Sequence, residues 1–300
     1  MSWLALTLTT TPTAAPQLEA ALERAGASAV TLQDGGDDPI LEPALDTTPL
    51  WAVVRIQALF ENTPVGQAQA QHSAQLLAGY LTEVPTIQPL ADQPWERAWL
   101  KHRQPQCFAD RLWVGAQEQL AALTLPTDAA VVKLDPGLAF GTGDHPTTAL
   151  CLQWLAQAQL LNETVIDYGC GSGILAIAAI QLGAARAIAI DHDPQALEAT
   201  AANAAVNNVT ERLLITSPMA SAIEPAAVVI ANILAKPLIE LAPHLCALVN
   251  ENGHLVLSGI LAHQVDAVMA AYQPIMHFAP VQLQDEWALL HARRAINRAA

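Results

Sequence analysis

The chain has 300 residues, of which 28 are acidic and 13 basic, giving a net charge of −15. That length accommodates one large domain or two ordinary ones, each with a buried core. A protein built to grip a phosphate backbone carries a basic face, and this composition argues against one.

The longest apolar runs, such as "AAVVIANILA", are half the ~20 residues of a membrane span. "MSWLALTLTT" lacks the basic n-region of a signal peptide, so a cytosolic protein is expected. Cys107, Cys151, Cys170 and Cys246 have no paired spacing, which speaks against a disulfide framework or a zinc site. Charge is −8 up to residue 100 and −7 beyond it. Such charge serves solubility, or it attracts a basic macromolecule.

In chain order, a strand is predicted at Trp3–Thr9, a helix near Ala15–Ala25 and a strand at Ser28–Gln33. "LWAVVRIQALF" then reads as a third strand. A helix follows, capped by Asn62 or Thr63, and Val84–Leu90 supplies a last short strand. The order βαββαβ is the ferredoxin-like split motif. "DQPWERAWLKHR", residues 92–103, reads as a connecting helix with Trp95 and Trp99 packing on one face. Strands are expected near Phe108–Val114 and Val131–Leu134. From "TVIDYG" onward strands and helices alternate, with "KPLIELAPHLCALV" as one helix, which implies an α/β fold with a doubly wound, mostly parallel sheet. The domain boundaries read as 1–91, a linker helix at 92–104, and 105–300.

"VIDYGCGSGILAIAAI" places Asp167, Gly169, Gly171 and Gly173 where a strand hands over to a helix. A lone glycine motif is weak. Here Asp191 ends the next strand, where a carboxylate can take both hydroxyls of a ribose. Asp193 and Pro194 then open the following helix. The combination points to a nucleoside cofactor. A pyrophosphate at the helix N-terminus is at odds with an acid beside the loop, whereas a cofactor bearing an ammonium is compatible with one.

The loop resembles motif I of the class I S-adenosylmethionine-dependent methyltransferases. Cys170 reads as a small loop residue. Asn232, ending "AVVIAN", either orients an amine by accepting its N–H or caps the next helix; this element alone leaves both open. "LDPGLAFGTGDHPTTALCL" suits a loop closing over the ligand, with Phe140, Gly141 and Thr142 among its contacts. Thr147 or Thr148 stands ready at the helix start. Asp144–His145 reads as structural rather than as a metal or catalytic pair.

Together with "VVIANILAKPLIELAP", "LVLSGIL" and "PWERAWLKH", these stretches are similar to the methyltransferases that modify large-subunit ribosomal protein eleven. The likeness runs through nearly the whole chain. It implies S-adenosyl-L-methionine as cofactor and methylation of the α-amine and lysine ε-amines of that basic protein. The N-terminal ferredoxin-like domain would grip the substrate. Thr148, Gly169, Asp191 and Asn232 match the family's cofactor-contacting positions. A monomer without metal, DNA or membrane contacts is expected. The alternatives are N-methylation of another protein or a nucleic acid, or a catalytically silent binding module. The tail "DEWALLHARRAINRAA" has no assigned role.

Overall fold

The computed structural model describes residues 2–38, 40–41, 47–90, 104–134, 143, 145–218, 223–273 and 275–295. The chain forms two compact units, residues 1–98 and 99–300. The expected connecting helix with Trp95 and Trp99 lies outside the described residues, as do Phe140, Gly141, Thr142 and Asp144.

The first unit runs β1 (Trp3–Thr10), α1 (Ala15–Arg24), β2 (Ala29–Asp34), β3 (Val54–Glu61), α2 (Pro64–Leu76) and β4 (Thr86–Leu90). Its antiparallel sheet has the order β2-β3-β1-β4, the ferredoxin-like arrangement. Alternation drives it: Val54, Ile56, Ala58 and Phe60 are buried while Arg55 and Glu61 face water. Leu4 pairs with Phe60 and Leu8 with Ile56, so β1 presents leucines to the same core. Helix α1 adds Ala15, Leu18 and Leu22, spaced for one helical face. Of the two candidate caps for α2, Thr63 is the one used: its hydroxyl accepts from the Gly66 N–H at 3.2 Å.

The second unit begins with β5 (Gln106–Phe108), β6 (Leu112–Gly115), α3 (Gln117–Ala121) and β7 (Ala130–Lys133), and the three strands form a small sheet. The single strand expected over 108–114 is thus a hairpin. Ala109 and Asp110 turn the chain with φ of 48° and 54°. No glycine or proline marks that turn, which is why the pattern hides it.

The main body follows as α4 (Pro146–Gln157), β8 (Thr164–Tyr168), α5 (Ile174–Gln181), β9 (Arg186–Ile190), α6 (Pro194–Val206) and β10 (Leu213–Thr216). Then come β11 (Ala226–Asn232), α7 (Ala235–Glu240), α8 (Ala242–Leu248), β12 (Val249–Leu261), α9 (Val265–Tyr272), β13 (Met276–Phe278), β14 (Gln282–Gln284) and β15 (Trp287–Arg294). The sheet order is β10-β9-β8-β11-β12-β15-β13, with β14 also on β15. Strands β10 through β12 are parallel, and β15 runs antiparallel to β12. Apolar side chains on both faces, Ile174–Ile180 of α5 on one and α7–α9 residues on the other, bury it.

Two details depart from the sequence reading. The helix expected over "KPLIELAPHLCALV" is two short helices meeting at Leu241, since Pro243 has no N–H to continue the ladder. The tail stretch "WALLHARR" is strand β15, with Ala288, Leu289 and Leu290 fully buried. The parallel strands β8, β9, β11 and β12 all end on one edge, and that edge is where open α/β sheets hold ligands.

Candidate active site

Strand β8 ends at Tyr168, and the glycine loop turns the chain into α5. Gly169, Gly171 and Gly173 have φ of 79°, 54° and 76°, a region that side-chain-bearing residues rarely occupy. The loop is pinned from below by the Ile190 carbonyl, which accepts from Gly169 N–H at 2.7 Å and Cys170 N–H at 3.0 Å. From the end of β9, Asp191 Oδ2 accepts from the Gly171 N–H at 3.0 Å, and its Oδ1 accepts from Asp193 N–H at 3.0 Å. Each carboxylate oxygen keeps a further lone pair for a hydroxyl. Asp193 caps α6 through the Gln195 N–H at 2.9 Å, with Pro194 opening the helix, as its sequence predicts.

Asp167 faces the loop's underside. Its Oδ2 accepts from the Ala176 N–H at 3.0 Å, while its Oδ1 is buried without a hydrogen-bond partner. Burial, with some help from the nearby negative charge of Asp191, pushes its carboxyl up to about 7. Cys170 is buried against the Thr200 hydroxyl at 3.4 Å, and burial raises its thiol to about 12. It stays neutral, in keeping with a packing role.

Asn232 and Thr148 come together from opposite directions. Asn232 Nδ2 donates to Thr148 Oγ1 at 3.2 Å, leaving the amide carbonyl as an acceptor. The helix that follows Asn232 is capped at Leu234 with no side-chain hydrogen bond, so the capping alternative for Asn232 is not the one realised. Thr147 is occupied elsewhere, its hydroxyl 2.8 Å from His145 Nδ1. His145 itself is the N-cap of α4, and its ring meets Trp287 edge-on at 4.7 Å. His145 thus serves the start of α4.

A feature invisible in the motif reading fixes the backbone beside Asn232. Ile233 is wedged between Gly169 and Gly259, whose φ is 83°. A Cβ on Gly169 would lie 2.3 Å from Ile233 Cγ2, and one on Gly259 would lie 2.5 Å from the Ile233 carbonyl oxygen. The ends of β8, β11 and β12 are thereby locked together. A lone glycine inside the "LVLSGIL" strand pattern is the signal that could have found it, since such a glycine marks a bulge or a close approach. The β12–β15 register does shift between Leu257 and Ile260. Among the described residues, no three His, Cys, Asp or Glu side chains gather into a cluster that could hold a metal ion.

Comparison with known proteins turns this geometry into a family assignment. The family model described as ribosomal protein L11 methyltransferase matches residues 2–295. The chain belongs to that family. A ribosomal protein L11 methyltransferase of Ectopseudomonas mendocina is 47% identical over 288 residues, covering 96% of this chain and 97% of its own. Its counterpart in Azotobacter vinelandii is 46% identical over 296 residues, with 98% and 100% covered. The crystal structure of a ribosomal protein L11 methylase from Lactobacillus delbrueckii subsp. bulgaricus superposes with a TM-score of 0.59 at 31% identity. It matches 65% of this chain and all of the other. The family's class I methyltransferase fold accounts for the sheet order and for the loop between β8 and α5.

Proposed function

We propose that this chain is an S-adenosylmethionine-dependent methyltransferase that modifies ribosomal protein L11 on its α-amine and lysine ε-amines. Family membership over residues 2–295 is the observation that carries the reading. The loop's residues suit the cofactor. Asp191 offers lone pairs to ribose hydroxyls at the end of β9, and the α5 N-terminus favours a carboxylate. Asp167, fully buried, holds the first turn of α5 in place by accepting from the Ala176 N–H. Gly169, Gly171, Gly173, Thr148 and Asn232 are the further proposed contacts among the described residues; Phe140, Gly141 and Thr142 are proposed contacts outside them.

When bound, the cofactor supplies a methyl group already activated on sulfonium. The chain's own task is to bring a neutral amine into line at ~3–3.5 Å. A lysine of pKa ~10.4 must give up about 3 pH units, roughly 4 kcal/mol, to present its lone pair at neutral pH, whereas an α-amine of pKa ~8 gives up far less. Asn232, held by Thr148, accepts an amine N–H on its carbonyl and aims the lone pair. It does not take the proton.

The ferredoxin-like unit, read as residues 1–91 and joined through 92–104 to the catalytic residues 105–300, recruits the substrate. The enzyme acts as a monomer in the cytosol, without direct contact to DNA. The net charge of −15 assists encounter with a basic substrate, which makes association fall with rising salt. No described helix is long and apolar enough to cross a membrane. Peptide mapping of L11 after reaction with the enzyme and labelled S-adenosylmethionine tests the assignment. Label on the N-terminal and lysine-bearing peptides is the expected result. Label confined to other side chains, or to another component of a ribosome preparation, would overturn it.

A further inference from the structure

Helix α6 carries a buried polar face that no part of the proposed reaction uses. Thr200 is fully buried, and Asn203 and Asn207 are each 5% exposed. Their spacing of three and four residues puts them in one row along the helix and its C-cap. Unpaired, such groups in an apolar interior cost stability, so their partners matter.

Each rung of this row holds a different piece of backbone. The Thr200 hydroxyl donates to the Gly171 carbonyl at 3.0 Å. Asn203 Nδ2 donates to the Ser172 carbonyl at 2.9 Å. Asn207 grips β7: its Oδ1 accepts from the Lys133 N–H at 2.8 Å, and its Nδ2 donates to the Lys133 carbonyl at 2.7 Å. The same Nδ2 donates to the Asn203 carbonyl at 2.8 Å, and Gln181 of α5 donates to the Asn207 carbonyl at 3.1 Å. An amide side chain thus pairs with Lys133 as a neighbouring strand would. Lys133 is the last residue of β7, immediately before the 134–144 stretch that holds the glycine-rich sequence.

We propose that Thr200, Asn203 and Asn207 are positioning residues that set the glycine loop and the end of β7 at Lys133 to one common ruler, so that cofactor affinity depends on all three. The inference rests on the reading of loop 169–173 as the cofactor site. None of the three residues touches the cofactor; they act through Gly171, Ser172 and Lys133. The chemistry explains the choice of residue. Asparagine supplies donor and acceptor together, as Lys133 requires, and threonine supplies a donor small enough to stand against the loop.

The test is calorimetric titration of the full chain with S-adenosylhomocysteine. Thr200→Val, Asn203→Ala and Asn207→Ala are each expected to weaken binding about tenfold, the scale of one lost hydrogen bond. Thr200→Val is isosteric and guards against simple misfolding; Thr200→Ser restores the donor and is expected to bind within about threefold of the unaltered chain. Met276→Ala, which truncates a buried side chain in the cluster packed on the other face of the sheet, controls for lost stability and should leave affinity within about twofold. Unchanged affinity in the three variants, or an equal loss in Met276→Ala, overturns the inference while the cofactor reading stands. Failure of the unaltered chain to bind overturns both.

Discussion

Asn232 Nδ2 donates to Thr148 Oγ1 at 3.2 Å across 84 positions of sequence, tying the end of β11 to the first turn of α4. One end of the Asn232 amide is fixed by a neighbour, and the other is left to meet an amine. Removing that neighbour should disturb orientation more than binding. Thr148→Val is expected to lower kcat about tenfold with a smaller change in the KM for L11, and Thr148→Ser to retain most of the activity. Steady-state kinetics at saturating cofactor measures the split.

The Ile233 wedge makes a prediction that distinguishes side chain from backbone. Gly169→Ala places a Cβ 2.3 Å from Ile233 Cγ2, and Gly259→Ala places one 2.5 Å from the Ile233 carbonyl oxygen. Each also costs about 1–2 kcal/mol for the left-handed backbone. Adding Ile233→Ala relieves the first clash and cannot relieve the second. Double-mutant cycles in urea should therefore show a favourable coupling of about 1–3 kcal/mol for the Gly169 pair and almost none for the Gly259 pair.

Asp167 gives the protein a pH dependence of unusual sign for an aspartate. Its folded pKa of about 7 lies above the ordinary carboxylate value, so the native state holds an extra proton between the two. That contribution to stability is fully present below about pH 4 and is lost as pH rises to about 7, roughly 4 kcal/mol in all. Chemical denaturation of the unaltered chain against Asp167→Asn should show the difference between them shrinking or reversing over that window.

A second titration runs the other way. Arg293 can only donate, so its 3.3 Å contact makes His254 Nε2 the acceptor and puts the His254 proton on Nδ1. That proton faces His291 Nε2 at 2.8 Å. Burial, reinforced by His254 and Arg293, lowers His291 to about 4, and burial with Arg293 lowers His254. Stability from this pair is present above about pH 6.5 and is lost as pH falls toward 4. His291→Gln should flatten the acid side of the stability profile while leaving the Asp167 slope unchanged.

Much of this was legible in the sequence, for local reasons. The βαββαβ order, the strand–helix alternation and the Asp193–Pro194 helix start each follow from patterns spanning a few residues. Asp191 at the end of β9 is legible for the same reason. What stayed hidden depends on contacts between distant segments. Gly169 and Gly259 meet at Ile233 only because the sheet order sets β11 between β8 and β12. Asn203 and Asn207 sit in "AANAAVNN", which reads as an alanine-rich helix with an asparagine end, and burial alone reveals their partners. The 109–110 turn lacked any glycine or proline to announce it.

The most direct test is intact-mass analysis of unmethylated ribosomal protein L11 incubated with S-adenosylmethionine and either the unaltered chain or Asn232→Ala. Stepwise gains of one methyl at a time with the unaltered chain are predicted, slowed about a hundredfold or more in the variant, the scale set by loss of transition-state orientation. No gain with the unaltered chain under conditions where it binds the cofactor, or a variant as fast as the original, would contradict the account.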